Sequence, residues 1–299
     1  MPAVHSPGTE RRSLAVLGSP IAHSLSPVLH RTAYEILALP YEYGRAEVAS
    51  GGLSGFLDGL ELDERWLGLS LTMPLKREVI PLLNSSSALV DRLGVANTVV
   101  ISAPSGVRHL AGYNTDVDGI VRAIQSRHDV RQERAAILGG GATAASALAA
   151  AAELESTEVS LYLRNPAKAG ELTALAETLG VRLEVLPLDS LDDAPAFAFV
   201  ISTLPGGIRL PVIAPESPHS VLLDVAYDPW PSSLASAWER LGGRTVSGLD
   251  MLLEQAIGQI RLFSGRAQDD ALPDESRLRS ALRAAVGLAD PPQPGQATE

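Results

Sequence analysis

A glycine turn set between a short apolar run and a long alanine-rich one constrains the fold of this chain most strongly. Residues 135–138 form an apolar run suited to a buried parallel strand, and residues 143–154 have strong helix propensity. Gly139, Gly140, Gly141, Ala142, Thr143 and Ala144 therefore lie where a strand passes into a helix. In that position glycines let the backbone approach a pyrophosphate closely. The first helical amides face its negative charge, and a small residue such as Ala144 keeps helix and strand close. A glycine triplet alone reads as an ordinary turn. The flanking strand and helix, with a second strand expected at 158–163, make it a dinucleotide site.

The end of that second strand bears on which dinucleotide is taken. NAD-type sites place an acid about twenty residues past the glycines, where it binds the ribose hydroxyls. Here Arg164 occupies that place, with Lys168 one helical turn further on. Two cations suit a 2′-phosphate that a carboxylate would repel, so NADP(H) is the expected cofactor. From the residues alone, Lys168 reads equally as a solvated charge at the start of a helix spanning 166–179.

Composition limits the other options. A length of 299 residues exceeds one typical domain, and 45% apolar residues suffice for sizeable cores. The absence of cysteine excludes disulfides, thiolate catalysis and cysteine-based metal sites. The six histidines show no ligand spacing such as His-Glu-x-x-His, so no metal is expected. The apolar stretch 14–17 after Arg11-Arg12 is too short for a signal-peptide core, and no run approaches membrane-spanning length. The expectation is a cytoplasmic protein without a membrane partner. A net charge of −11 also opposes nucleic acid, while leaving room for local cationic pockets.

The first half alternates strands expected at 14–18, 41–48, 66–71, 96–101 and 107–111 with helical stretches at 27–39, 53–62, 76–83 and 87–93. Residues 102–106 read as a turn. The second half continues with strands at 135–138, 158–163, 183–186, 197–201 and 221–225, the pattern of a doubly wound sheet. After Gly248 an apolar helical face runs through Leu249, Leu252, Leu253, Ala256, Ile257 and Ile260. The expected organisation is an α/β domain at 11–112, a dinucleotide-binding domain at 113–247, and C-terminal helices at 248–288 that return to the first domain. The tails 1–10 and 289–299, rich in Pro, Gly and polar residues, are expected to be disordered.

Three polar clusters in the first half invite a chemical account: Ser24-Leu25-Ser26, Thr72-Met73-Pro74-Leu75-Lys76 and Asn114-Thr115-Asp116. A ketone that accepts hydride builds negative charge on oxygen and needs a proton donor held there. Lys76, after a strand and a turn containing Pro74, is the candidate, with Asp116 placed to position its ammonium. Taken alone, Lys76 also reads as an exposed lysine, and Asp116 or Thr115 as a cap of a helix at 117–124. Ser26 before Pro27 has the form of an N-cap, whereas Ser24 has no such local role; two alternate hydroxyls beside helix amides suit a carboxylate. Thr72, Asn97, Asn114 and Gln255 supply neutral partners for hydroxyl groups.

In order, Pro20-Ile21-Ala22-His23-Ser24-Leu25-Ser26-Pro27, Thr72-Met73-Pro74-Leu75-Lys76, Ala96-Asn97-Thr98, Asn114-Thr115-Asp116, the glycine turn and Gly248-Leu249-Asp250-Met251-Leu252-Leu253-Glu254-Gln255-Ala256 closely resemble the shikimate dehydrogenase family. The resemblance runs from about residue 14 to about residue 265. It implies an N-terminal α/β substrate-binding domain and a Rossmann-type, doubly wound parallel-sheet NADP-binding domain, with a cleft between them that opens and closes. The implied reaction is reversible, NADPH-dependent reduction of 3-dehydroshikimate to shikimate on the route to chorismate and the aromatic amino acids.

By this resemblance Ser24 and Ser26 bind the substrate carboxylate, while Thr72, Asn97, Asp116 and Gln255 bind ring hydroxyls. Lys76 is the acid/base, paired with Asp116; Tyr227 lies near the substrate and Gly248 beside the nicotinamide. Two departures stand out. The family's Asn-Arg-Thr clamp is Leu163-Arg164-Asn165 here, which keeps the arginine and loses a polar neighbour, and Ala142 replaces a common glycine. Quinate and aminoshikimate dehydrogenases are the alternative within the family, and a non-catalytic NADP-binding regulator the alternative outside it. Both monomer and homodimer are compatible with the sequence.

Overall fold

The computed structural model describes residues 11–60, 65–103, 106–126, 134–211 and 213–289. The tail expectations for 1–10 and 290–299, and residues 104–105 of the 102–106 turn, lie outside them. Residues up to Asn114 together with Gln259–Gly287 form one compact unit, and Thr115–Gly258 belong to a second.

The first unit runs β1 (Arg12–Gly18), α1 (Ser26–Ile36), β2 (Tyr41–Glu47), α2 (Leu53–Asp58), β3 (Trp66–Leu71), α3 (Leu75–Glu78), β4 (Ser85–Ser86), α4 (Ala88–Leu93), β5 (Thr98–Ser102) and β6 (His109–Tyr113). Its sheet has the order β2-β1-β3-β5-β6-β4. β1 pairs in parallel with β2 and β3, whereas β5 is antiparallel to both β3 and β6. Composition explains the placement: Leu14, Ala15, Val16 and Leu17 of β1 are all buried, as befits a strand covered on both faces. β2 alternates Tyr, Glu, Tyr, Gly, Arg, Ala and Glu, and takes the edge. Leu17, Leu53, Leu69, Leu75 and Val99 meet in one core, so α3 is anchored by Leu75 where β3 ends.

The second unit contains α5 (Asp116–Gln125), β7 (Arg134–Leu138), α6 (Ala142–Glu153), β8 (Glu158–Leu163), α7 (Gly170–Leu179), β9 (Arg182–Pro187), β10 (Phe199–Ser202), β11 (Val221–Asp224), α8 (Ser233–Arg240) and β12 (Arg244–Ser247). The strand order β12-β11-β10-β7-β8-β9 is parallel throughout, the doubly wound arrangement expected of a Rossmann-type sheet. The order reverses between β7 and β10, so the glycine turn after β7 stands at the topological switch point. The unit boundary falls inside α9 (Gly248–Phe263), and α10 (Glu275–Ala285) packs against α1 in the first unit.

Several boundaries differ from the sequence pattern. The helix expected over 166–179 is interrupted: Pro166–Lys168 form a 3-10 turn, capped by the Asn165 side chain accepting from the Ala167 N–H at 3.2 Å, and α7 begins at Gly170. α1 ends at Ile36 and not at residue 39. α8 and β12 are additions to the expected elements, and Leu234, Trp238 and Val246 on them are buried; α10, within the C-terminal helices expected over 248–288, buries Leu278 and Leu282. Among the described residues no helix is long and apolar enough to cross a membrane, and no group of three His, Cys, Asp or Glu is placed to hold a metal ion.

Candidate active site

In the first unit, Thr72, Lys76 and Asn97 are tied together through their backbones at the end of β3. The Leu71 N–H donates to the Asn97 carbonyl at 2.7 Å, and the Thr72 N–H to the Leu17 carbonyl at 2.9 Å. The Leu75 N–H returns to the Thr72 carbonyl at 2.8 Å, closing the turn that carries Lys76. The Ala96 N–H then donates to the Lys76 carbonyl at 2.9 Å. Lys76 is only 8% exposed, so it is not the solvated helix lysine that its neighbours Arg77 and Glu78 would suggest. Asn97 is buried at 1% exposure, while Thr72 is half-buried.

The two serines exchange the roles expected of them. α1 has Leu25 at its N-cap position with no side-chain cap, and Ser26 is already the first helical residue, with Pro27 next. Ser26 therefore does not cap. Its N–H instead donates to the Ser24 Oγ at 3.3 Å, so the local turn role expected to be lacking at Ser24 is present there. Ser26 is buried and Ser24 half-buried. Asn114 is fully buried and its Nδ2 donates to the Val95 carbonyl at 3.2 Å, a contact that serves the backbone.

Behind Asn97 lies a buried polar cluster that the sequence reading did not single out. Gln259, from the last turns of α9, donates through Nε2 to the Asn97 carbonyl at 3.2 Å and to the Thr98 Oγ1 at 3.0 Å. Its Oε1 accepts from the Ser70 Oγ at 2.8 Å and lies 3.2 Å from the His30 Nε2. The Tyr43 hydroxyl donates to the Ser70 Oγ at 2.6 Å, and the His30 ring stacks on Tyr43 with centroids 4.0 Å apart. Burial pushes the His30 pKa from 6.5 down to about 3, which the Gln259 hydrogen bond only partly opposes, so the ring is neutral. The available signal was the pair Gln255 and Gln259, one helical turn apart.

In the second unit, Asp116 opens α5 with Thr115 at its N-cap position, but the Thr115 side chain makes no cap bond. Its Oγ1 lies 3.5 Å from the Gln255 Oε1. The approach depends on Gly119: a Cβ there would come within 2.8 Å of the Gln255 Cβ. The start of α5 thus lies against Gln255, and Asp116 and Gln255 are both under 8% exposed. Tyr227, half-buried, follows β11 in a turn pinned by Asp224, which accepts from the Ser232 Oγ at 2.6 Å and the Ala226 N–H at 3.3 Å. Gly248 begins α9 directly against Val225, where no Cβ fits.

The glycine turn assigns each glycine a different reason. Gly139 has φ +103°, a left-handed backbone that favours glycine. A Cβ on Gly140 would sit 2.6 Å from the Leu163 Cδ2, so the apolar residue of the altered clamp packs onto the turn itself. Gly141 is the N-cap of α6 in ordinary extended backbone, φ −79° and ψ −170°, and a Cβ there would meet nothing within 4 Å. That open space lies before the N-terminus of a twelve-residue helix, whose first amides suit an anion. Arg164 and Lys168 are both exposed beyond β8, while the Asn165 side chain is engaged in its cap. These residues fit a dinucleotide carrying an additional phosphate.

Residues 16–99 match the family described as the shikimate dehydrogenase substrate binding domain. The shikimate dehydrogenase (NADP(+)) of Moorella thermoacetica is 31% identical over 285 residues, covering 92% of this chain and 95% of the relative. The chain belongs to the shikimate dehydrogenase family. The crystal structure of the Mycobacterium tuberculosis shikimate dehydrogenase has 34% identity and a TM-score of 0.74, with 92% of this chain and 99% of that one covered. The pentafunctional AROM polypeptide of Malassezia globosa is 35% identical over 294 residues, which are 92% of this chain but 18% of that polypeptide.

Proposed function

We propose that this shikimate dehydrogenase family member reduces 3-dehydroshikimate to shikimate with NADPH and catalyses the reverse oxidation with NADP⁺. The observation that carries this reading is the clustering of Thr72, Lys76 and Asn97 through their backbones at one end of the first sheet, with Lys76 withdrawn from solvent. Ser24 and Ser26 hold the substrate carboxylate. Thr72, Asn97, Asp116 and Gln255 take the ring hydroxyls, and Tyr227 completes the substrate surroundings. Bound NADPH supplies the hydride. Lys76 holds a proton at the carbonyl oxygen and releases it as negative charge grows there, and Asp116 keeps that ammonium directed at the oxygen. In the oxidation the Lys76 amine takes the proton back from the hydroxyl.

Gly139, Gly140, Gly141, Ala142, Thr143 and Ala144 hold the pyrophosphate, Arg164 and Lys168 the 2′-phosphate, and Gly248 leaves room for the nicotinamide. With Leu163 apolar and Asn165 committed to its cap, phosphate recognition falls on the two cations. Arg164→Ala is therefore expected to raise the KM for NADP⁺ by about tenfold or more, the value of a charge-assisted hydrogen bond, while leaving NAD⁺ turnover nearly unchanged. Parallel titrations of both cofactors at fixed shikimate check this. The function itself is tested by NADP⁺ reduction with shikimate, with quinate and without substrate, with NAD⁺ alongside. Shikimate-dependent reduction that prefers NADP⁺ is expected, and a preference for quinate or NAD⁺ would overturn the assignment.

A further inference from the structure

The buried cluster around Gln259 has a direction that follows from which atoms can donate. The Asn97 main-chain carbonyl is an acceptor only, so the Gln259 atom 3.2 Å away must be the amide nitrogen. Turning the carboxamide over would set oxygen against oxygen there. With Nε2 fixed, it also donates to the Thr98 Oγ1, and Oε1 faces Ser70 and His30. The neutral His30 then donates from Nε2 to Gln259, and its Nδ1 accepts from the Tyr34 hydroxyl at 3.0 Å. The Thr98 hydroxyl accepts from Gln259, which leaves its own hydrogen for the Asn97 Oδ1 at 2.8 Å. The steps from Tyr43 to Ser70, from Ser70 to Gln259 and from Gln259 to Thr98 each have one sense only, and the Thr98 hydrogen finds its acceptor in the Asn97 Oδ1; all five residues are buried.

We infer that Gln259 and Thr98 are positioning residues that fix the orientation of the Asn97 side-chain amide, with Oδ1 held by Thr98 and the Nδ2 edge turned away from it toward the substrate. The inference rests on the proposed reading of Asn97 as a partner of a ring hydroxyl. It adds that the donor edge of Asn97 is set in advance, so the substrate atom it meets must be able to accept. In a dry site an amide presented the wrong way round leaves a polar group unpaired, so the device favours substrates with an acceptor at that ring position.

Thr98→Val is the sharpest test, because valine keeps the shape and strand preference of threonine and removes only the hydroxyl. Its expected effect is a rise of roughly three- to tenfold in the KM for shikimate, the worth of one neutral hydrogen bond, with kcat and the KM for NADP⁺ little changed. Thr98→Ser, which keeps the hydroxyl, is expected to restore the wild-type KM. A merely structural role would move both substrates' constants together, or would make serine no better than valine; either result overturns the inference.

A second measurement is independent of turnover. The Asn97 side-chain amide resonances, assigned with Asn97→Asp, should shift in Thr98→Val and in Gln259→Met but return to their wild-type positions in Thr98→Ser. Unshifted resonances in Thr98→Val overturn the relay even in an active enzyme. If the wild type reduces no cofactor with shikimate, the functional reading fails, and these resonances still decide whether the amide is oriented as inferred.

Discussion

Replacing Lys76 by alanine is expected to lower kcat by about a hundredfold or more, while the KM for shikimate changes far less. The size follows from the task. Proton transfer by a positioned side chain contributes roughly 10²- to 10⁴-fold, and the loss falls on the step in which charge develops, not on ground-state binding. Lys76→Met tests the same point with the buried stem retained, since Lys76 is only 8% exposed and alanine would also leave a gap. Lys76→Arg is not expected to rescue the shikimate oxidation, because a guanidinium stays protonated and accepts nothing from the substrate hydroxyl. Steady-state kinetics by NADPH absorbance decide the matter. A Lys76→Met enzyme with near-normal turnover would remove Lys76 from the mechanism and leave the site as a binding surface.

The largest expected effect on stability lies away from the chemistry, where α9 meets α10. Arg261, 3% exposed, donates from Nε and Nη2 to both Glu275 carboxylate oxygens, at distances from 2.7 to 3.2 Å, and from Nη1 to the Gln268 carbonyl at 2.8 Å. Glu275 also accepts from the Leu272 N–H at 2.9 Å and from Arg279 at 3.0 Å. Burial alone would raise the Glu275 pKa, but the bonds from Arg261, Leu272 and Arg279 outweigh it and bring it from 4.5 down to about 2.

Glu275→Gln leaves the Arg261 charge buried without its counter-charge and is expected to destabilise the protein by about 3–5 kcal/mol, read as a lower urea midpoint. The double variant Arg261→Met/Glu275→Leu recovers most of that loss, because no unpaired charge remains. The pH dependence has a definite sign. A carboxyl whose folded pKa is depressed stabilises the fold fully above its unfolded value near 4.5, and loses that contribution as the pH falls toward about 2. Over that window the wild-type midpoint should fall more steeply than that of Glu275→Gln. Equal slopes would show that this pair does not govern acid stability.

Much of the architecture could be read from local pattern. The strand, glycine turn and alanine-rich helix at residues 134–153 declare themselves because three levels of preference agree there. The direction of β5 was not legible: alternation shows that a segment is extended, but not whether its partner runs with it or against it. The start of α1 was not legible for a related reason. Ser26-Pro27 has the composition of a cap, yet α1 begins one residue earlier than that composition implies. Lys76 could be proposed from chemistry, but its burial comes from packing of Leu75 and from the backbone bonds to Ala96, which no nearby residue announces. Gln259 and Arg261 were harder still, since a glutamine and an arginine near a helix end ordinarily read as solvated. The partners of Gln259 come from segments distant in sequence, and those of Arg261 lie beyond the end of its own helix.

Gly141 separates two demands that usually coincide at a glycine. Its backbone is one that any residue adopts, and neighbouring atoms leave room for a side chain. Serine or aspartate would serve at least as well at the start of α6. Folding alone therefore exerts no pull toward glycine at this position, and a survey of tolerated substitutions scored by expression or melting would mark it as permissive. Only the bound pyrophosphate would register the intrusion, aspartate most of all through like charge. On the proposed reading, the identity of Gly141 records the ligand, whereas two steps back along the chain the left-handed backbone of Gly139 asks for glycine on its own account.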